Sequence, residues 1–303
     1  MKFHSFRDAI LVLTLILLAC ESNVSEEKPG KSIKRIMETV HDAYDNEGAI
    51  AFASETSLHS AITRSHFDKR GNLTTKQIFD YKGAPQWRFI YKYDSRGNAI
   101  EEHVYQYSEV LLRKHLNKFD ESNKVIESSV LDVNGQVSNK IVIQPEVEGG
   151  KFITIFTPAP GGFVKTMECI LNKAGDTLEY AQFNNRSLIR KVSHQYDNSN
   201  RIETTEDKVI EKERRITHYK YDERNNVTEQ VILDGSLLIL SKETFTYDDK
   251  NNLAEIRTYG IMGSLVYLVS YTYEYDKESN WTKRITYQNK TPVTVTLHQI
   301  EYY

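Results

Sequence analysis

Disulfide stapling is closed to this chain: of 303 residues only Cys20 and Cys169 carry a thiol, too few for a framework even where the compartment would permit one. Cys169 reads as a small buried apolar residue. Basic excess is missing as well. Lys and Arg number 39 against 42 Asp and Glu, so there is no electrostatic footprint for nucleic acid, and the weak acidity, spread over many short segments, implies no particular partner. The nine His stand at positions 4, 41, 59, 66, 103, 115, 194, 218 and 298, with no His-x-x-x-His or Cys-x-x-Cys pair of metal-ligand spacing. Neither a Gly-x-Ser-x-Gly elbow nor a phosphate-binding loop occurs. Glu26-Glu27 and Glu101-Glu102 are adjacent carboxylates, but neighbours on a strand point to opposite faces and form no acid/base pair. The expectation is a protein without cofactor or metal, and not an enzyme.

Long apolar runs are also lacking, save one. Lys2 and Arg7 give a positively charged start, Ala9 to Leu18 is almost wholly apolar, and Ala19 precedes Cys20; this is a signal-peptide plan. About ten apolar residues fall well short of the roughly 20 that a spanning helix needs. Leu17-Leu18-Ala19-Cys20 resembles the lipobox of bacterial lipoproteins, which implies cleavage between Ala19 and Cys20 and a diacylated Cys20 as the new N-terminus. Acyl chains so placed anchor more firmly than a single myristoyl group. An ordinary signal peptide with a chance Cys at its end is the alternative. Loss of Lys2, Arg7 and Asp8 with the leader takes the formal charge from -3 to -4.

Residues 20–31 are polar and aperiodic and read as a flexible tether. Glu21 stands where Asp signals inner-membrane retention in well-studied lipoprotein sorting, so the resemblance favours the outer membrane of a bacterial envelope. Ser25-Glu26-Glu27 is similar to the surface-export tethers of Bacteroidetes lipoproteins.

The rest of the chain is a repeat. An aromatic-Asp pair recurs at Asp68, Asp94, Asp120, Asp197, Asp222, Asp248 and Asp276, at spacings of 26, 26, 77, 25, 26 and 28. The long gap is almost three periods and holds degenerate copies near Glu146 and at Leu171-Asn172. A weaker copy at Tyr44-Asp45 places the start of the array near Ser32. Three residues after the Asp stands Gly71, Gly97, Asn123, Asn200, Asn225 or Asn251, with Ser279 the exception. Gly and Asn tolerate positive φ, and Asp can bond the backbone two residues on, which is the chemistry of a turn closing a hairpin. Two positions later an apolar residue restarts a strand: Leu73, Ala99, Val125, Ile202, Val227, Leu253 or Trp281. Alternate aromatics before the Asp, such as Tyr271, Tyr273 and Tyr275, show the period of two that marks strands.

A looser turn signal lies half a period on, as at Tyr81-Lys82-Gly83, Asp234-Gly235 and Gly260 through Gly263. Two turns in about 26 residues predict two strands, and hence about 18 antiparallel strands after Asp68. Open twisted sheets rarely exceed about ten strands without curling or splitting. The expected fold is therefore all-β: tandem antiparallel hairpins forming a long curled or spiralling sheet over residues 32–303, a flat ribbon being the alternative.

The unit, an aromatic followed by Asp-x-x-Gly-Asn and an apolar residue, resembles the YD repeats of the Rhs and teneurin families over most of residues 60–303, poorly between about 137 and 190. In large members such repeats wind into a spiral sheet that closes into a shell around a toxin or ligand. This chain is far shorter and is more similar to small YD-repeat lipoproteins of Bacteroidetes. The recurring Asp could be imagined as calcium ligands, and the aromatics as a sugar-binding ladder. Turn capping and cross-strand packing account for both without a ligand. Trp87, Trp281 and the turn Pro158 through Gly162 are the irregular residues. The function expected is that of a membrane-anchored, non-catalytic binding or scaffold surface, with membrane lipid held through Cys20 and a glycan, peptide or envelope protein as partner. A structural accessory of a secretion or toxin system is the alternative, and a glycan-active enzyme the third class.

Overall fold

The structure, a computed structural model, describes residues 32–53, 61–107, 109–123, 125–147, 150–159, 162–172, 176–184, 187–210 and 212–303. Among them there is no helix. The first strands are β1 (Ile33–Asn46), β2 (Ala49–Phe52), β3 (Ile62–Phe67), β4 (Leu73–Phe79), β5 (Pro85–Tyr93), β6 (Ala99–Gln106) and β7 (Val110–Phe119). Next come β8 (Val125–Leu131), β9 (Val137–Val147), β10 (Gly150–Ala159), β11 (Gly162–Leu171), β12 (Thr177–Asn184), β13 (Ser187–Tyr196) and β14 (Ile202–Val209). The last are β15 (Arg215–Tyr221), β16 (Val227–Leu233), β17 (Ile239–Tyr247), β18 (Leu253–Tyr259), β19 (Leu265–Tyr275), β20 (Trp281–Gln288) and β21 (Thr291–Tyr302). Every apolar restart residue singled out above is the first residue of its strand.

From β3 to β21 each strand pairs antiparallel with the next, beginning with Thr63 opposite Ile78 and ending with Ile285 opposite Val295. Strand β1 then does what an open array forbids. It pairs with β21, Thr39 opposite Leu297, and with β3, Met37 opposite Arg64. The wall is thus a closed antiparallel barrel of 20 strands, with short β2 paired to the end of β1. This corrects the expected curled, spiralling or flat open sheet. An open edge exposes a row of unpaired N–H and C=O groups, and closure removes both edges at once.

A single-layered closed wall has one concave and one convex face, and side chains converge only on the concave one. Directly opposed residues share a face, so the register traces it: Tyr91, Glu102, His115 and Val130 form one row. Ile141, Ile155, Met167 and Gln182 form another, and Cys169, Tyr180 and Val192 a third. Val104, Ile141, Ile155, Met167, Cys169 and Val192 are each exposed by 3% or less, so this face is the inner one. Val130, Ile141, Ile155, Met167, Cys169, Leu171 and Tyr180 make a contiguous apolar cluster there. Cys169 is a free buried thiol, and burial pushes its pKa up to about 12.

Candidate functional site: the two faces and the turn ring

One end of the barrel is a ring of Asp turns. Asp68 Oδ1 accepts the backbone N–H groups of Arg70 and Asn72, each at 2.9 Å, and Asp94 and Asp222 do the same for their own turns. Asp197 accepts from Ser199 and Arg201, Asp120 from Ser122, Asp248 from Asn252 and Asp276 from Asn280. All seven third positions have positive φ, from Gly97 at 90° to Asn123 and Asn200 at 61°, the exceptional Ser279 included at 65°. Side-chain N–H groups of Asn98 and Asn226, the largest influence on each, hold the carboxyls of Asp94 and Asp222 below the usual range.

The ring is stitched from turn to turn. Arg70 donates to the carbonyl of Ser95, Arg96 to that of Asp120, and Arg224 to that of Asp249. Asn98 donates to Asn123 Oδ1 and Asn226 to Asn251 Oδ1. Where a tyrosine precedes the Asp, as at Tyr93, Tyr196, Tyr221 and Tyr247, its hydroxyl reaches back one hairpin. Tyr93 O–H donates to the carbonyl of Leu73, Tyr221 to that of Ile202 and Tyr247 to that of Val227. In the last copies the hydroxyls of Tyr275 and Tyr302 donate instead to the carboxylates of Asp248 and Asp276. Asp and aromatic are therefore engaged with neighbouring backbone and side chains. Trp281 stacks on His298, ring centroids 3.5 Å apart.

The concave face carries a buried titratable pair that sequence reading did not bring together. Glu102 and His115 are opposed across β6 and β7, His115 Nδ1 lying 3.5 Å from Glu102 Oε2. Burial raises the Glu102 pKa, against the hydrogen bond from Tyr91 and the charge of Arg113. Burial, with Arg113, pushes His115 down to about 4. Both are driven towards neutrality. His115 Nε2 is buried without a hydrogen-bond partner and borders a cavity of about 250 Å³ lined also by Arg113, Val130, Asp132, Ser138 and Asn139. Two other polar groups of the lining are engaged in structural bonds. Asp132 caps its own turn through Asn134 and Gln136, and Ser138 Oγ donates to the Val130 carbonyl. The separation of Glu101 from Glu102 follows strand alternation: Glu101 lies on the convex face, 2.7 Å from Lys92.

That convex face is laced with ion pairs. Lys118 and Lys140 flank Glu127 at 2.9 and 3.1 Å, Lys220 and Lys242 flank Glu229 at 2.7 and 2.6 Å, and Lys191 meets Glu179 at 2.7 Å. Lipid-facing Lys or Arg costs about 2–4 kcal/mol at the bilayer midplane. Strands β4, β8, β15, β16 and β18 have 7 residues each, fewer than the roughly 9–11 of a spanning strand. Its charge, together with the shortness of these five strands, makes this wall a poor lipid-facing surface.

No protein-family model and no curated protein matches the sequence. Among solved structures, a chain described as TcdB2-TccC3-TEV aligns at a TM-score of 0.37 and 13% identity, covering 84% of this chain and 15% of that one. A porin-like protein from Bacteroides uniformis aligns at 0.35 and 8% identity, covering 90% of this chain and 99% of its own. A porin-like protein from Bacteroides vulgatus aligns at 0.31 and 12% identity with the same coverages. This chain spans about 15% of the first of these.

Ala19 and Cys20, the expected cleavage and lipid-attachment residues, and the tether 20–31 lie outside the described residues. So do parts of the degenerate copies, including Gly175 and the centre of the Pro158 through Gly162 turn.

Proposed function

We propose that the protein is a lipid-anchored envelope protein whose barrel stands outside the bilayer as a non-catalytic scaffold or binding surface for glycan, peptide or protein. The observation that carries this reading is the charged wall, several of whose strands are also shorter than a spanning strand. A closed barrel unsuited to crossing hydrocarbon is held at a membrane by something else, and Cys20 behind its leader supplies the chemistry. The non-catalytic part is supported by the cavity beside His115, where Asp132 and Ser138 are engaged in turn and strand bonds. Glu21 supports outer over inner membrane.

Metabolic labelling with palmitate in a Gram-negative host tests the anchor. The native chain takes up label and sediments with membranes, and alkaline carbonate does not release it; Cys20→Ser abolishes labelling and makes whatever protein sediments with membranes releasable by carbonate. A Cys20→Ser protein that still resisted carbonate extraction would mean that the barrel itself is integral.

A further inference from the structure

The large apolar side chains that stand exposed are not scattered. Among the described residues, all but Ile126 and Tyr303 belong to the end of the barrel opposite the Asp ring. They are densest on two neighbouring hairpin tips, β16–β17 with Leu237, Leu238 and Ile239, and β18–β19 with Ile261, Met262 and Val266. Strands β17 and β18 pair, so these tips adjoin on the rim. Met262 is 95% exposed and Leu237 61%.

Leu237 has φ of 67°, whereas the same place in three sister turns is held by Gly83, Gly135 and Gly263. A bulky residue in the left-handed region is an outlier, and strain of this kind concentrates at functional positions. Each tip turn is closed by two backbone hydrogen bonds. Leu237 N–H donates to the Asp234 carbonyl and Asp234 N–H to that of Leu238, while Gly263 and Gly260 close their turn in the same way. Backbone groups bonded within a turn cost less to bring against hydrocarbon than free ones. Cations outnumber acids beside the patch: Lys212, Glu213 and Arg215 are exposed on the preceding rim hairpin and Lys290 on the following one.

We infer that this rim, centred on Leu237, Leu238, Ile261 and Met262, dips into the surface of the bilayer to which the chain is anchored. This step rests on the lipid-anchor reading for the identity of that membrane. The chain enters the barrel at the opposite end, where Tyr303 N–H meets the Ser32 carbonyl. From Cys20 to Ser32 an extended chain reaches about 40 Å. Strand β17, with 9 residues, is about 30 Å long before tilt, so the anchor and the rim can share one membrane. Strands β17 and β18, which carry the tips, are paired on both sides and offer no free edge to a partner strand, which favours a soft surface over an added strand. Insertion is shallow, because Lys242 and Arg257 stand within the strands that carry the tips. Apolar area with cationic flanks is the pattern of an interfacial binder.

The test uses the full mature chain bearing Cys20→Ser, which removes the acyl anchor and leaves only the rim to bind. It is mixed with phosphatidylcholine vesicles, with and without phosphatidylglycerol. Co-sedimentation is expected, strengthened by phosphatidylglycerol, and Leu237→Ser, Leu238→Ser, Ile261→Ser and Met262→Ser together should lower partitioning at least about tenfold. An environment-sensitive dye on Met262→Cys should shift to the blue on vesicles and one on Ile126→Cys, at the other end, should not; buried Cys169 stays unlabelled. Absence of vesicle binding, or binding unchanged by the fourfold variant, overturns the inference. So does a fourfold variant that converts a dimer to a monomer without altering vesicle binding, since the rim is then a contact between copies. Palmitate labelling of the native chain reports on the anchor separately.

Discussion

His115 keeps 5% of its surface exposed, and the groups facing it are Glu102 from β6 and Arg113 from its own strand. Its folded pKa is pushed down to about 4 from the ordinary 6.5, so the unfolded chain takes up a proton while the folded chain still refuses it. Its contribution is complete above about pH 6.5 and is lost as pH falls towards 4, by about 3 kcal/mol across that window. Glu102 acts with opposite sign: its raised pKa favours the folded state at low pH, and that contribution fades as pH rises above 4.5. Urea denaturation of native and His115→Gln chains at pH 7, 5.5 and 4.5 separates the two. The difference between them should shrink, then invert, as pH falls; a constant difference would mean that His115 titrates alike in both states. Sequence alone hid this pair because alternation puts Glu101 and Glu102 on opposite faces without saying which faces inwards, and only the register with β7 sets Glu102 opposite His115.

Turns are where local chemistry speaks most directly. Positive φ at the third position and a capping Asp at the first are both encoded within five residues, so the seven Asp turns were legible without a structure. The rim tips were legible only as turns. Asp234-Gly235 and Gly260 through Gly263 mark where the chain reverses, but the leucines and isoleucine beside them look like any strand restart until their exposure is known. Asp248 shows what one turn contributes. Its carboxylate accepts Asn252 N–H at 2.7 Å and Tyr275 O–H at 2.8 Å, joining one turn to the aromatic of the next hairpin. Asp248→Ala should cost about 1–2 kcal/mol in chemical denaturation, and Asp248→Asn, which keeps an acceptor, distinctly less. Equal losses for the two would point to the negative charge rather than to the hydrogen bonds.

Closure belongs to the whole molecule and has no local signature. The strands β4–β21 after Asp68 follow from turn spacing, but that β1 meets both β21 and β3 depends on residues such as Thr39 and Leu297, far apart in sequence. Alternating hydrophobicity says which side chains face in; it does not say whether the end strands find each other. Coiling of so long a sheet was expected from twist, and closure is its limiting case, chosen because it leaves no edge. The same closure sets the two rims apart and gives the wall an inside, so each functional suggestion above stands or falls with it. Small-angle X-ray scattering of the mature Cys20→Ser chain measures it most directly. A closed barrel predicts a radius of gyration of about 20 Å, near that of a compact chain of this length. An open wall of the same strands at about 4.8 Å spacing would extend roughly 95 Å and give a radius of gyration of about 30 Å, and that result would contradict the barrel.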